Sequence, residues 1–370
     1  MKRFFAALAA LVVFAAATPF AKADYHFADF MGSPPIHVFR SAQKTPVGLT
    51  PLEVKHIYHL PLAGGASSTI VLIEAYDDPT VEADLASFDD AFGLPACTSK
   101  NGCFEKHVMA AGLKTDAGWA LETALDVEWA HAIAPQAKIL VIEAKTQSGA
   151  NLLRAVDYAA ARSDVTAVSM SWGGREFREE TSLDNHFVGS HPEAFFAAAG
   201  DRGAGASWPA ASPNVIGVGG TSLEILKDGT LVSESAWEGS GGGVSAYEPE
   251  TGFERAYDIP KAGGHRAIPD VAYDADPKSG FAVYRSSGAS KNGWYVVGGT
   301  SAGAPQWAAI FAIGRSATLK NLYTDKASAN PLSYFRDITS GSNGTCQYYC
   351  DARKRYDYVT GLGVPITTKF

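Results

Sequence analysis

Continuous apolar runs alternate along this chain with stretches in which apolar residues recur every three or four positions. The continuous runs, which predict buried strands, are TIVLIEA (69–75), KILVIEA (138–144), VTAVSMSW (165–172), AFFAAAG (194–200) and NVIGVGG (214–220). The periodic stretches, which predict helices, are TPLEVKHIYHLP (50–61), TVEADLASFDDAFG (80–93), DAGWALETALDVEWAHAIA (116–134) and ANLLRAVDYAAARS (150–163). This alternation predicts an α/β fold with a parallel sheet, helices on both of its faces and a single domain.

The first 23 residues have the pattern of an export signal. Lys2 and Arg3 precede an apolar run at 4–17, and AKA at 21–23 offers a small-residue cleavage site. A membrane anchor is the alternative, but the apolar run is short and Pro19 interrupts it. We expect a signal peptide over 1–23, an extended N-terminal arm over 24–44, and a secreted protein, extracellular or periplasmic.

The composition fits a large folded domain with an acidic surface. Hydrophobic residues make up 46% of the 370 positions and charged residues 19%, so a sizeable core is expected. Removing the signal with its three basic residues takes the net charge from −8 to −11. This balance argues against nucleic acid or an anionic membrane as a partner.

Four cysteines occur as two close pairs in polar segments, Cys97 with Cys103 and Cys346 with Cys350. In an exported chain, two local disulfides are the simplest assignment. A zinc site is the alternative, but the spacing is not C-x-x-C and no histidine is close to the second pair in sequence.

A serine stands between a predicted strand and a predicted helix in YVVGGTSAGAPQWAAI (295–310). Such a turn exposes the hydroxyl, but a serine needs an adjacent base to become a nucleophile. The segment fits the G-x-S-x-G pattern of lipases and esterases, in which the catalytic histidine follows the serine. No histidine follows Ser301, since the last one is His265, so the esterase interpretation fails on chain order.

In a subtilisin-like arrangement the histidine precedes the serine. None of the nine histidines lies in the glycine-flanked helix start that this arrangement uses. His107 comes nearest, and we interpret it as a solvated residue beside a disulfide loop. His131 is interpreted as a capping or half-buried residue near the end of its helix.

Glu122 and Asp126 are four residues apart on the helix at 116–134 and therefore share one face. Trp119 and Leu125 flank them with apolar bulk, and closely held carboxyls in a partly dry site share protons and titrate as a unit. Such a pair would supply a base without histidine. The alternative is a solvated acidic face, to which we assign Glu128.

Several further segments resemble those of the sedolisins, the serine-carboxyl peptidases of the subtilisin-like superfamily. They are LTPLEVKHIYHLP (49–61), AAAGDRGAGASWPAASPNVIGVGGTSL (197–223), AWEGSGGGVSAYEPE (236–250), RAIPDVAYDADPKSG (266–280), GGTSAGAP (298–305), RDITSGSNG (336–344) and YDYVTGLGVP (356–365). The resemblance covers residues 45–370. It implies one subtilisin-like catalytic domain that hydrolyses proteins or peptides.

Carried over by position, the resemblance makes Ser301 the nucleophile, Glu122 its general base and Asp126 the acid that orients the base. Asp201 matches the acid of the oxyanion hole. A glutamate with an ordinary pKa of about 4.3 still accepts a proton in acid, whereas Asp201 must be protonated to donate a hydrogen bond. We therefore expect activity in acid and loss toward neutrality. Arg202 would lower the pKa of Asp201 unless it points to solvent.

The resemblance assigns four residues to supporting roles. Glu74 and Trp172 match residues that extend the carboxyl network. Ser171 and Gly173 belong to the segment SMSWGG, which resembles the strand that pairs with the substrate backbone.

The resemblance also implies a calcium site in the C-terminal loops, within 330–370. The carboxylates of Asp337 and Asp357 and the backbone carbonyls of Ile338, Arg353 and Arg355 match its ligands. The two arginines stand where glycine is usual, and their charge is unfavourable beside a dication. The second cysteine pair could tie this loop instead.

Three functions stay open from the sequence: an acid endopeptidase, a tripeptidyl exopeptidase of the same family, and a catalytically silent peptide-binding relative. The filled catalytic positions favour an enzyme, and a monomer is the expected state. Sedolisins are usually made with a long N-terminal prodomain that assists folding and blocks the site. Here residues 24–44 alone separate the predicted signal from the domain, so the chain either folds without that help or is a short form.

Overall fold

The computed structural model describes residues 25–189, 194–286, 292–314, 318–328 and 331–370, and the predicted signal peptide lies outside them. The α-helices are α1 Pro51–Ile57, α2 Val81–Phe92, α3 Ala117–Ile133, α4 Gly149–Ala160, α5 Gly252–Tyr257, α6 Thr300–Gly314 and α7 Leu319–Asn321. The strands are β1 His37–Gln43, β2 Thr69–Ala75, β3 Phe104–Val108, β4 Lys138–Ala144, β5 Ala167–Met170, β6 Gly174–Arg175, β7 Ala194–Ala198, β8 Ser207–Trp208, β9 Val215–Ile225, β10 Leu231–Ala236, β11 Gly243–Pro249, β12 His265–Ile268, β13 Val271–Asp274, β14 Phe281–Arg285, β15 Gly293–Gly298, β16 Phe335–Arg336 and β17 Val364–Pro365. Short 3₁₀ turns lie at Phe27–Asp29, Glu180–Phe187, Pro331–Ser333 and Gln347–Tyr349, and a π-helical turn at Leu322–Ala327.

An eight-stranded sheet forms the centre of the fold, in the order β10-β9-β7-β5-β2-β4-β3 with β13 also beside β9. The pairing of β10 with β9 is antiparallel and the other pairings are parallel. All seven residues of β2 are buried, as expected for a central strand covered on both sides. The predicted single-domain α/β architecture is confirmed.

Side chains of β2 alternate between two apolar cores. Ile70 and Leu72 pack in the core that contains residues of α3 and α6, whereas Val71 and Ile73 pack in the core that contains α4. Each such buried side chain stabilises the fold by about 1.5–3 kcal/mol. Because α3 and α6 both pack on the same face of the central sheet, polar side chains of the two helices can come into contact with each other.

Helix α3 carries the predicted carboxyl pair. The Asp116 carboxylate caps its first turn by accepting hydrogen bonds from the N–H groups of Gly118 and Trp119, at 2.9 and 3.1 Å. Every residue from Trp119 to Ile133 is buried, so the helix has no solvated face. The interpretation of Glu128 as solvated is therefore wrong: it is fully buried, and its carboxylate accepts the N–H of Tyr284 at 3.0 Å.

The two histidines weighed as bases are structural. His131 is fully buried rather than half-buried, and its Nε2 lies 2.8 Å from the carbonyl oxygen of Pro95. Burial lowers the pKa of His131 to about 4. His107 lies on β3 and stacks on Tyr158 with ring centroids 4.1 Å apart.

Both predicted disulfides are present, Cys97–Cys103 and Cys346–Cys350, with Cα–Cα distances of 4.9 and 5.2 Å. Within the described ranges, the sole cluster of three metal-type side chains is Cys97, Cys103 and His131. Its two sulfurs are bonded to each other, so they do not offer the thiolates that zinc requires.

The N-terminal arm is partly regular. Strand β1 pairs antiparallel with β15, with His37 opposite Gly298, and β15 pairs with β14 to complete a three-stranded sheet. Strand β15 leads directly into the turn that holds Ser301, so the arm is connected to the site through this small sheet. In the described part of the chain, no helix is long and apolar enough to cross a membrane.

Candidate active site

Ser301 lies in the first turn of α6, immediately after a sharp turn at Gly299. The backbone of Gly299 has a φ of +128°, a conformation that residues with a side chain rarely adopt. A Cβ built there would collide with the carbonyl oxygen of Pro35 and with Oδ2 of Asp201. Glycine is therefore required both for the turn and for the space beside the serine.

A proline inside α6 shapes the environment of Ser301. Pro305 has no N–H to offer the Ser301 carbonyl four residues earlier. The hydroxyl of Ser171 donates to that carbonyl instead, at 3.2 Å. The Ser301 hydroxyl in turn donates to the carbonyl of Ser171, at a long 3.4 Å. The end of β5 and the start of α6 are thus held face to face.

Three fully buried carboxyls lie together beside Ser301. Glu122 and Asp126 project from α3, and Glu74 stands near the end of β2. Apart from contacts with one another and with the hydroxyls of Ser171 and Ser301, their oxygens have no hydrogen-bond partner among the residues that the structure describes. The predicted pair therefore belongs to a group of three buried acids that interact electrostatically with one another.

Burial raises the pKa of all three carboxyls, but the size of the increase differs among them. Burial raises the pKa of Asp126 to about 7, and the neighbouring Ser171, Glu74 and Glu122 side chains limit the increase because they favour its charged form. The pKa values of Glu74 and Glu122 are raised well above the ordinary value, by burial first and then by the charge of Asp126. The three acids therefore titrate as one coupled cluster that takes up its negative charges one at a time.

Asp201 follows β7 and lies on the other side of Ser301. Its Oδ1 accepts the backbone N–H and the hydroxyl of Thr300, both at 2.8 Å. Burial raises the pKa of Asp201, while its hydrogen bonds with His37 and Thr300 oppose the shift. A carboxyl that keeps its proton above the ordinary range is suited to donate to a developing oxyanion.

The sequence analysis missed His37. Its Nε2 lies 3.2 Å from Oδ2 of Asp201, and this hydrogen bond raises the pKa of the imidazole although half of the side chain is exposed. Arg202, the cation expected from the sequence to affect Asp201, is exposed and is not a cause of the pKa shift. Within the described residues, no histidine forms a hydrogen bond with the Ser301 hydroxyl.

Trp172 and Gly173 have different surroundings. The indole N–H of Trp172 donates to the carbonyl of Ile73 at 3.1 Å, so its link to the carboxyl cluster runs through the backbone beside Glu74. Gly173 exchanges two backbone hydrogen bonds with Ser33 of the N-terminal arm, at 3.1 and 3.2 Å. This antiparallel bridge is a β-augmentation contact.

The arm continues from Ser33 past Ser301. The N–H of Ser301 points to the carbonyl oxygen of Pro35 at 3.4 Å. That oxygen and Oδ2 of Asp201 both lie against Gly299. The Pro35 carbonyl oxygen therefore lies close to both the Ser301 N–H and the Asp201 carboxyl.

The predicted calcium loop is held by protein donors. Oδ2 of Asp357 accepts the N–H of Arg353, and Oδ2 of Asp337 accepts the N–H of Arg355, both at 2.9 Å. The other oxygen of Asp357 accepts two more N–H groups and the hydroxyl of Thr360. The backbone N–H groups of both arginines thus approach the carboxylates that a cation would share, and calcium at this loop stays a prediction of the resemblance.

A family model described as the subtilase family matches residues 109–333. Kumamolisin from Bacillus sp. (strain MN-32) is 31% identical, over 88% of this chain and 64% of its own length. Sedolisin from Pseudomonas sp. (strain 101) is 27% identical, over 88% of this chain and 62% of its own length. The chain thus spans less than two thirds of these two relatives.

The fold also matches a solved structure. Pseudomonas sedolisin, a serine-carboxyl proteinase complexed with two molecules of pseudo-iodotyrostatin, superposes with a TM-score of 0.74. The match covers 89% of this chain and 97% of that one, at 24% identity. The structural match shows the fold, and the family model over residues 109–333 shows the family. The chain belongs to the subtilase family.

Proposed function

We propose that this chain is a serine-carboxyl endopeptidase that acts in acid and uses Ser301, Glu122, Asp126 and Asp201. One observation carries the proposal: the serine hydroxyl lies beside a buried cluster of carboxyls that share protons, opposite a second buried acid. A hydroxyl next to a base and a carbonyl site next to a donor are the two requirements of acyl transfer.

The proposed reaction begins when Ser301 attacks a peptide carbonyl. Its proton passes to Glu122 while the proton that Glu122 shares with Asp126 moves to Asp126, so the charge of the cluster is neutralised as the oxyanion forms. Protonated Asp201 and the N–H of Ser301 donate to the oxyanion. Glu122 then protonates the leaving amine, and water repeats the steps on the acyl-enzyme. The proposed chemistry uses protein side chains alone.

The pH window follows from two opposite requirements. The cluster must carry one negative charge, which favours higher pH, and Asp201 must carry a proton, which favours lower pH. Burial raises the pKa of Asp126 in the cluster, which sets the lower limb, and the pKa of Asp201, which sets the upper limb. We expect a bell-shaped profile of kcat/KM with its maximum below pH 7.

The path of the arm favours an endopeptidase over a tripeptidyl exopeptidase. The arm makes backbone contacts on both sides of the Pro35 carbonyl, with Met31 bridged to Ser148 before it and His37 paired with Gly298 after it. The cleft thus accommodates the five residues from Met31 to Pro35, which end at the reacting carbonyl. A tripeptidyl exopeptidase would have a cleft that is closed beyond the third residue. Beyond His37, an open groove of about 580 Å³ continues past Trp237.

The test is digestion of a denatured protein between pH 3 and pH 6, with Ser301→Ala as the inactive control. Products of many lengths support the endopeptidase, and a ladder of tripeptides would indicate the exopeptidase. Absence of any cleavage by the wild type would indicate the silent peptide-binding relative.

We also propose that the chain is exported and acts as a monomer on protein or peptide substrates. The signal pattern at 1–23 and the two disulfides support an oxidising compartment. N-terminal sequencing of the secreted protein would test cleavage after residue 23. Calcium stays a prediction of the resemblance alone.

A further inference from the structure

The N-terminal arm lies in the cleft in the register of a substrate. Ser33 exchanges both backbone hydrogen bonds with Gly173, and Gly32 donates to the carbonyl of Gln147 at 2.8 Å. Phe30 anchors the arm: its side chain is 1% exposed and packs edge-on against Trp208 with ring centroids 4.9 Å apart. The segment is therefore held by backbone pairing and by a buried aromatic side chain.

This register fixes which bond faces the nucleophile. In an antiparallel pair that contains Ser33 and Gly173, the next hydrogen-bonded pair is residue 35 with residue 171. The Pro35 carbonyl is the one to which the Ser301 N–H points. The peptide bond between Pro35 and Ile36 is thus the bond at the position of attack.

Residue 35 is a proline and therefore lacks the backbone N–H of an ordinary substrate residue. In this register its N–H would donate to the carbonyl of Ser171, but proline has no N–H. The Ser171 carbonyl accepts the hydroxyl of Ser301 instead, at 3.4 Å. The proline thus leaves an acceptor that draws the nucleophile's own proton away from Glu122.

We propose that Pro35 makes the arm a tethered inhibitor of this chain's own active site that Ser301 does not cut. The arm fills the cleft, its proline ring excludes the hydrogen bond that would align the bond, and the hydroxyl is held by the Ser171 carbonyl. The inference rests on the proposed peptidase function and goes beyond it, since it assigns residues 31–36 as the occupant of the cleft and Pro35 as the residue that protects the arm.

The first experiment compares the full-length wild type, Pro35→Ala and the matched control Pro34→Ala, each with and without Ser301→Ala. Samples are held at pH 4 and followed by intact mass and N-terminal sequencing. We expect Pro35→Ala to be hydrolysed between residues 35 and 36, one water giving a carboxyl on Ala and an amine on Ile36. Wild type and Pro34→Ala should remain joined there, and no chain with Ser301→Ala should be cut.

Cleavage of the wild type at this bond as fast as Pro35→Ala would overturn the proposal. So would resistance of Pro35→Ala in a preparation that hydrolyses added casein. If no preparation hydrolyses casein, the proposed function fails, and hydrogen exchange of the Gly173 amide decides the arm's position: protection supports occupancy of the cleft, and rapid exchange rejects it.

A second variant tests inhibition itself. Ser33→Pro removes the N–H that donates to Gly173 at an exposed position of the arm, so the core is untouched. An inhibitor tethered in the cleft raises KM for an added peptide without changing kcat. We expect Ser33→Pro to lower KM roughly three- to tenfold, the factor of one backbone hydrogen bond, at unchanged kcat. An unchanged KM would reject the inhibitor.

Discussion

His37 and Asp201, far apart in sequence, form a close pair in which Nε2 of the imidazole lies 3.2 Å from Oδ2 of the carboxyl. The histidine contacts Asp201, the proposed oxyanion-hole acid, and not Ser301, the proposed nucleophile. Its positive form stabilises ionised Asp201, which is the form that cannot donate to an oxyanion. The pair therefore opposes activity at the upper end of the pH range.

Replacing His37 with Phe should extend activity toward neutral pH. The interaction with His37 lowers the pKa of Asp201, so its loss raises that pKa and keeps the acid protonated at higher pH. Because the imidazole is half exposed, we expect a shift of about one pH unit at most in the upper limb of kcat/KM. A lower limb that moves instead would show that His37 acts on the carboxyl cluster.

Asp201→Asn and Asp201→Ala should differ in their pH dependence. The amide of Asn donates a hydrogen bond at any pH, and its oxygen can still accept from Thr300. The Asn variant should therefore retain activity that no longer falls above the pKa of Asp201. The Ala variant should lose about 10²–10³ in kcat at every pH. Equal profiles for the two variants would argue against a role as donor.

Ser171→Ala should move the lower limb of the profile to higher pH. The Ser171 hydroxyl stabilises the charged form of Asp126, so its removal raises the pKa of that acid. The variant also leaves the Ser301 carbonyl without its donor. Glu128→Gln is the matched control, since Glu128 is an equally buried acid of α3 whose raised pKa already keeps it protonated. Measurement of kcat/KM against pH for both variants checks the expectation.

Removal of calcium should not change the melting temperature. Asp357 already accepts three backbone N–H groups and the hydroxyl of Thr360, and Asp337 accepts one N–H. Melting curves with EGTA, and after return of calcium or magnesium, provide the check. A drop in Tm that calcium alone restores would mean that the loop rearranges around the cation.

The elements that form the site could be predicted because their signals are local. The spacing of Glu122 and Asp126 places both on one helix face, and the glycines around Ser301 mark a turn between a strand and a helix. The roles of Glu74 and Asp201 came from the resemblance, because each stands at a strand end without a local pattern of its own.

The errors have physical causes. Glu128 was assigned to a solvated face although Val127 and Trp129 flank it, and a helix that is apolar all round is buried all round. His37 was missed because it belongs to an arm without periodicity and reaches Asp201 through the pairing of β1 with β15. Contacts of that kind depend on tertiary register, which no local pattern encodes.

The bridge between Ser33 and Gly173 has a practical consequence. Since the chain already carries a sequence that fits its own cleft, a synthetic copy of residues 30–36 can serve as an affinity ligand when immobilised on a resin. Replacing its serine and glycine one at a time would map the side-chain size that each subsite tolerates. The arm is in this sense a built-in guide for designing reporters and blockers of the enzyme.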